Sequence, residues 1–575
     1  MASRHPSAPP QALAPGTADL ENPLYYLENM ETLVGWVRDH HADLLTASER
    51  DRLAGFFALS QPARALLTRL VMRTGEHFRA DRLNYPELGV AEAVALAELI
   101  DGDWLDPAPA LELDQLFRLY TLPELRPVFA DDLADLGQPR SLAKARMREL
   151  LQAHYPEPRT VTDWLGPAAA PVVRINQMAL FDRVRLMFFG NLRQSWSDFV
   201  LVELGHQRYE TVPFTPDARA FARREEVDHY LVMHQCRQWL DEGVPAAEVW
   251  PEVPAPVANP WLTSRRDRLL LELGRQAERE GERELALQAL AASGHREARL
   301  KRLRLLERLQ RFEQAWDLAC QWQTTPLSDA EIQGLGRILK RLARRLDRPS
   351  PLPDVRSRPE AWTLELPRPG HGSVELAVAQ HLGQDQAPVY YVENTLINGL
   401  FGLLCWSTIF APLPGAFFHP FHTGPADLTR DDFLARRRDA FDRCFGHLAD
   451  GSYRLRMRDT FARKQGLANP FVIWPVLTEA LLDLALDSIP AADLRLLFER
   501  LLLNIREHRS GWPDLIQFLP EDDRDSAGRR YRMIEVKGPG DRLQDHQRRW
   551  LAFFEARSIP ASVCYVRWRS QDAPS

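Results

Sequence analysis

The stretch RMIEVK, residues 532–537, sets the strongest limit on what this chain can fold into. Side chains alternate faces along a strand, so Glu535 and Lys537 share one side and Val536 takes the other. Upstream, GWPDLIQF places Asp514 at the head of another apolar run. The polar segment between them, LPEDDRDSAGRR, has the composition of a hairpin or loop. Two adjacent strands so joined bring Asp514 close to Glu535 and Lys537. A Gly-Pro-Gly turn follows Lys537. DRLQDHQRRWLAFFEA then forms an amphipathic helix carrying Gln547 and Trp550, and ASVCYVRW reads as a further buried strand. Strand, hairpin, strand, helix, strand is an α/β layer with an acid–acid–base cluster at one edge.

The residue types point to a hard cation. Two carboxylates at short range repel each other unless a cation lies between them. Mg²⁺ or Mn²⁺ would satisfy Asp514 and Glu535, with the main-chain carbonyl of Val536 and waters completing an octahedron. Such an ion acidifies a bound water and offsets charge on a scissile phosphate. Lys537 is placed to orient that water and stabilise developing negative charge. The pattern resembles the Pro-Asp…(Asp/Glu)-x-Lys centre of restriction-type nucleases. An exposed strand with an ion pair two residues apart is the plainer account of the motif alone. The surrounding order of elements favours the nuclease core.

The chain of 575 residues is too long for one core. A Pro/Ala-rich tail covers 1–21, with no apolar signal core. Helical periodicity dominates 22–105. Residues 106–250 begin with two short helices around a Gly-Gln-Pro turn, the second basic. PVVRINQMALFDRVRLMFFGN follows and reads as one helix. SDFVLVELGHQRYETVPF reads as strand, turn, strand, a small β-wing. Proline-rich VWPEVPAPVANPW marks a break, and 260–348 is helical throughout, with two helix–turn–helix halves that suggest a tetratricopeptide-like array. A second linker, DRPSPLPDVRSRPE, precedes an α/β domain over 360–570. The apolar run LINGLFGLLCWSTIFAPLPGAFF contains Asn398, Pro412 and Pro414 and is expected to be a buried helix, not a membrane span. The five cysteines show no CxxC pairing, which fits a reducing compartment. His419 and His422 form an HxxH without two further ligands nearby and are read as loop histidines. No GxxxxGK[ST] phosphate loop is present, so no nucleotide cofactor is expected.

EVKGPGDRLQDHQRRWL resembles the VRR-NUC domain signature, in its Lys-Gly-Pro, Asp-x-Leu and Gln-x-x-Trp elements. YYLENMETLVGWV, FFALSQPARALLTRL and FRADRLNYPEL are similar to the opening helices of Fanconi-associated nucleases. LFRLYTLPELRPVF with the basic helix after it resembles that family's SAP-like and winged-helix region. YYVENTLINGLFGLLCWSTIF resembles the helix that opens its nuclease domain. The resemblance implies a multidomain protein. Mostly α-helical N-terminal, SAP/winged-helix-like and tetratricopeptide-like regions would precede a C-terminal α/β PD-(D/E)xK, restriction-endonuclease-like domain. It also implies that Glu393 joins Asp514 and Glu535 as a metal ligand, so that Glu393, Asp514, Glu535 and Lys537 form the active site. On residues alone, Glu393 is a carboxylate compensating a helix N-terminus. Two departures stand out. Ser407 replaces an expected acid, and the segment 519–531 is longer than expected, with the potential to touch DNA.

The implied function is metal-dependent 5′-flap endonuclease and 5′-to-3′ exonuclease action on branched or flapped duplex DNA, in interstrand-crosslink repair, by a monomer with no membrane attachment. The net charge of -7 argues against binding nucleic acid by bulk charge. Local cations would grip the phosphates, and the candidates are Lys144, Arg146 and Arg148, then Arg299, Lys301, Arg302, Arg304 and Arg308, with Gln547 near the centre. A Holliday-junction resolvase and a non-catalytic DNA-binding scaffold are the alternatives. The lack of a targeting peptide or nuclear-type basic tract fits a bacterial cytoplasm; a eukaryotic relative would be nuclear.

Overall fold

The computed structural model describes residues 22–89, 91–139, 141–194, 196, 208–323, 328–349, 359–368 and 372–569. The N-terminal tail and residues 197–207 of the expected wing lie outside these. The chain divides into two compact units: residues up to 207 with 221–227, and 208–220 with 228–575.

In the first unit, helices α1 (Tyr25–His41), α2 (Ala47–Ala58), α3 (Gln61–Val71) and α4 (Ala91–Asp101) follow the apolar periodicity of the sequence. Thr46 opens α2 with a capping box to Glu49, and Ser60 caps α3. Strands β1 (His77–Arg79), β2 (Leu105–Asp106) and β3 (Val172–Ile175) form an antiparallel sheet with β3 in the middle. This corrects the single helix expected over 171–191. Val172, Val173 and Ile175 are β-branched and pair on both sides with β1 and β2, so helix α10 begins only at Met178 and ends at Phe189. Between these strands, four short helices replace the two expected ones before residue 155: α5 (Leu113–Leu119), α6 (Leu122–Leu125), α7 (Ala130–Asp135) and α8 (Lys144–Leu151). A fifth, α9 (Val161–Leu165), follows. Together they close a core of Leu116, Phe117, Phe129, Met147, Leu151 and Trp164.

The described part of the expected wing, 208–214, forms no strand. Instead Arg208 bridges to Leu467, and Glu210 receives hydrogen bonds from Lys464 Nζ at 2.7 Å and from the Trp406 indole at 2.8 Å. An ion pair and an indole bond within the second unit hold this segment in place of a hairpin ladder.

The second unit contains a stack of helices: α11 (Pro260–Glu280), α12 (Arg283–Ala292), α13 (Arg296–Arg308), α14 (Phe312–Trp322) and α15 (Asp329–Leu346). Small residues let them approach. A side chain at Gly274 would meet Leu290 at 2.9 Å, and Ala286, Ala289 and Ala298 are fully buried. The start of α15 docks on the C-terminal part of the chain, where Arg500 donates to Asp329 at 2.7 Å and Arg337 to Asp545 at 2.8 Å.

A five-stranded sheet follows, in the order β4 (Ala361–Leu366), β8 (Ala561–Trp568), β7 (Tyr531–Lys537), β6 (Leu515–Phe518), β5 (Val389–Tyr391). β4, β8 and β7 run parallel; β6 is antiparallel to both of its neighbours. Parallel neighbours need a crossover, and α20 (Asp545–Ala556) supplies it between β7 and β8. One face of the sheet packs on α16 (Val374–Leu382) through Val378, Ile534, Val536 and Cys564. The other carries a larger core containing α17 (Leu396–Leu404), α18 (Tyr453–Lys464), α19 (Ala491–Leu503) and α20. The apolar α17 is buried along its whole length. No helix among the described residues is long and apolar enough to cross a membrane.

Candidate active site

β7 is central, and its C-terminal end carries the acid–base pair. β6 begins at Leu515, so the ladder stops at Leu515 opposite Ile534. Asp514 continues it with a side chain: the Val536 N–H donates to Asp514 Oδ2 at 2.8 Å. Glu535 is 1% exposed, and its Oε1 accepts from Lys537 Nζ at 2.6 Å and from Gln547 Nε2 at 2.5 Å. The expected shared face of Glu535 and Lys537 is therefore occupied by their own ion pair. Gln547, an expected DNA contact, is tied to Glu535; its Oε1 also accepts from Gln544 N–H at 2.9 Å as part of the cap of α20.

The segment before Asp514 is clamped to α20. Trp512 lies 3.7 Å, centroid to centroid, from Trp550, whose indole donates to the Ser510 carbonyl at 3.1 Å. Gly511 has φ +86°, and a side chain there would come within 2.5 Å of His546 Cδ2. Glycine is needed for both the conformation and the close approach.

Burial is the largest influence on both carboxylates. It pushes Asp514 up to about 6, aided by the charges of Glu393 and Glu375 and opposed by the Val536 N–H and Lys537. Burial and the charge of Asp514 push Glu535 up to about 8, opposed by Lys537. Burial works against the Lys537 charge, but Glu535 more than offsets it and the lysine pKa rises.

Glu393 lies in the turn between β5 and α17. Its Oε2 accepts from Tyr391 Oη at 2.6 Å and its Oε1 from Asn394 Nδ2 at 3.0 Å. Sequence reasoning missed Tyr391 and Asn394, although the YYVEN string holds both beside Glu393. Among the described residues, no three Asp, Glu, His or Cys side chains stand close enough to hold a metal ion as they are. The donor set nevertheless fits a divalent cation: oxygen ligands whose pKa values are raised by burial, and further by neighbouring carboxylates, are what such an ion relieves.

The other expected positions lie elsewhere. Lys144 Nζ donates to the Tyr120 carbonyl at 2.7 Å, Arg146 pairs with Glu149 and Arg148 with Asp114. In the array, Arg299 pairs with Glu331, and Lys301 and Arg308 share Glu278. Arg302 is half-buried and Arg304 exposed. Ser407 lines a cleft with Arg456 and Lys464, and Glu210 and Asp459 supply carboxylates there. The 519–531 excursion is pinned to α19: Arg529 grips Asp493 at 2.8 and 3.0 Å, and Tyr531 Oη donates to the same carboxylate at 2.7 Å. Glu521, Asp522, Asp523 and Arg524 at its tip are exposed. His419 is buried and His422 half-buried, with rings 4.1 Å apart, and they accept from the Phe421 and Phe418 N–H groups.

The VRR-NUC domain family matches residues 448–568, a span that holds Asp514, Glu535, Lys537 and Gln547 but not Glu393. The "FAN1, HTH domain" family matches 24–106, upstream of the expected winged-helix region, and the "Fanconi anemia-associated nuclease SAP domain" matches 110–164. The Fanconi-associated nuclease 1 homolog of Pseudomonas aeruginosa is 47% identical over 555 residues, covering 96% of this chain and 97% of that protein. The chain belongs to the Fanconi-associated nuclease family. It is therefore a DNA nuclease, and its family implies dependence on a divalent metal. The Oryza sativa Fanconi-associated nuclease 1 homolog is 25% identical, over 94% of this chain and 62% of its own length. A crystal structure of paFAN1 bound to a 2-nt 5′-flap DNA with a gap superposes with a TM-score of 0.81 at 47% identity, covering 96% of this chain and all of that one.

Proposed function

We propose that this Fanconi-associated nuclease cuts duplex DNA near 5′ flaps and digests it 5′ to 3′, in repair of interstrand crosslinks, as a Mg²⁺- or Mn²⁺-dependent monomer without a nucleotide cofactor. The reading rests on the buried Asp514–Glu535–Lys537–Gln547 cluster at the end of β7, in a chain whose 47%-identical relative is seen with 5′-flap DNA. Glu393, Asp514, Glu535 and the Val536 carbonyl would hold the ion. A bound divalent cation supplies charge neutralisation and an acidified water. With the ion offsetting the charge of Glu535, Lys537 would be free to direct its ammonium at the attacking water and the phosphate oxygens. Gln547 keeps Glu535 in one orientation throughout. The segments 22–105, 106–250 and 260–348 would grip the duplex arms and the 360–570 region would cut, in a bacterial cytoplasm.

The test is a 5′-flap duplex labelled at one end, incubated with wild type and with Glu535→Ala, with and without Mn²⁺. Metal-dependent nicks near the junction, absent in the variant, are expected. Equal cutting by the variant would remove the site assignment. Preference for a four-way junction over the flap would favour a resolvase.

A further inference from the structure

Glu393 is held before any ion arrives. Tyr391 Oη and Asn394 Nδ2 each donate to one of its oxygens. A carboxylate oxygen carries two acceptor positions, so both oxygens keep one for a cation. Asn394 has φ +54°, a left-handed conformation that asparagine adopts more readily than most residues. Its Oδ1 accepts from the Trp512 N–H at 3.3 Å, and its carbonyl accepts from the buried Asn398 Nδ2 at 2.8 Å. The same Asn398 amide donates to the Arg509 carbonyl, and the Val392 N–H donates to the Asp514 carbonyl at 2.9 Å. One amide thus touches the carboxylate of Glu393 on one side and the backbone leading to Asp514 on the other.

We propose that Asn394 and Tyr391 are positioning residues that set Glu393 for the divalent cation, with Asn394 fixing the spacing between Glu393 and Asp514. This rests on Glu393 being a ligand, as proposed above. Neither residue touches the reacting atoms. Their hydrogen bonds take away the rotational freedom that Glu393 would otherwise lose on binding the ion, and outer partners of this kind tune affinity through the ligand they orient.

Calorimetric titration of the full-length protein with Mn²⁺, without DNA, reads this directly. Asn394→Gly retains the backbone conformation and removes the amide; Tyr391→Phe removes only the hydroxyl. Asn394→Gly is expected to weaken Mn²⁺ binding about tenfold, and Tyr391→Phe by less in the same direction. The thermal midpoint of each in EDTA should stay near wild type, and KM for flap DNA at saturating Mn²⁺ should not move. Glu393→Gln serves as the control. If it weakens binding while folded Asn394→Gly binds as wild type does, the positioning role is overturned and the ligand role stands. If Glu393→Gln binds Mn²⁺ as tightly as wild type, the ligand assignment fails and this inference falls with it.

Discussion

Asp514 and Glu535 occupy places that oppose their charge, at a cost in stability. Asp514→Asn retains an oxygen for the Val536 N–H and removes a buried charge. On the ligand role proposed for Asp514, cleavage should fall by about a thousandfold or more, a loss of several kcal/mol in the transition state. In EDTA, the same variant should unfold at the same temperature as wild type or higher, gaining up to about 1 kcal/mol. Comparison of gel cleavage with calorimetric unfolding checks both. Gly511→Ala should lose stability as well as activity. Its methyl meets His546 and its φ disfavours any side chain, so a loss of about 2 kcal/mol or more is expected in urea unfolding, with reduced cleavage.

Elements are joined here by buried charges. Asp493 on α19, 2% exposed, holds both Arg529 and Tyr531 at the base of the 519–531 excursion. Asp493→Ala leaves the half-buried Arg529 guanidinium with only Asp525, at 3.6 Å, and should cost about 3 kcal/mol in urea unfolding. Asp329, at the start of α15, is held down to about 2, first by its hydrogen bond to His508 and then, against burial, by Arg500. A folded-state value below the unfolded one stabilises above about pH 4, and the benefit fades as pH falls towards 2. The side chain is 35% exposed, so after screening Asp329→Asn should cost about 1 kcal/mol at pH 7. That difference should shrink by about half by pH 3.

Legibility in the sequence follows the same lines. The helical array was readable because its apolar residues recur over whole helices between two proline-rich breaks. β3 was misread because VVRI abuts a long helical run, and only pairing with distant β1 and β2 makes it a strand. β5, three residues long, left no periodicity to detect. Glu535 and Lys537 were readable because one strand carries both. The role of Glu393 came from resemblance alone, since its partnership with the Asp514 segment runs through Asn394 and Trp512, 118 positions apart.

For the molecule as a whole, a net charge of -7 makes any DNA grip local. Affinity for a flap duplex should fall linearly in log–log terms as salt rises, with a slope set by the number of phosphates neutralised. Arg299 and Lys301 already answer Glu331 and Glu278. Changing both to Gln should therefore lower stability by about 1 kcal/mol more clearly than it weakens flap binding in an anisotropy titration at fixed salt.

The strand order has a consequence for synthesis. Both edges of the sheet, β4 and β5, precede its centre in the chain, and Trp362 of β4 bonds to Ser562 of β8 200 positions later. At about 5–20 residues per second, a ribosome needs on the order of 10–40 s to deliver that partner. Through that interval β4 has no neighbour of its own chain to pair with, whereas β5 meets β6 and β6 meets β7 before β8 is made, so the sheet is completed at the β4 edge last.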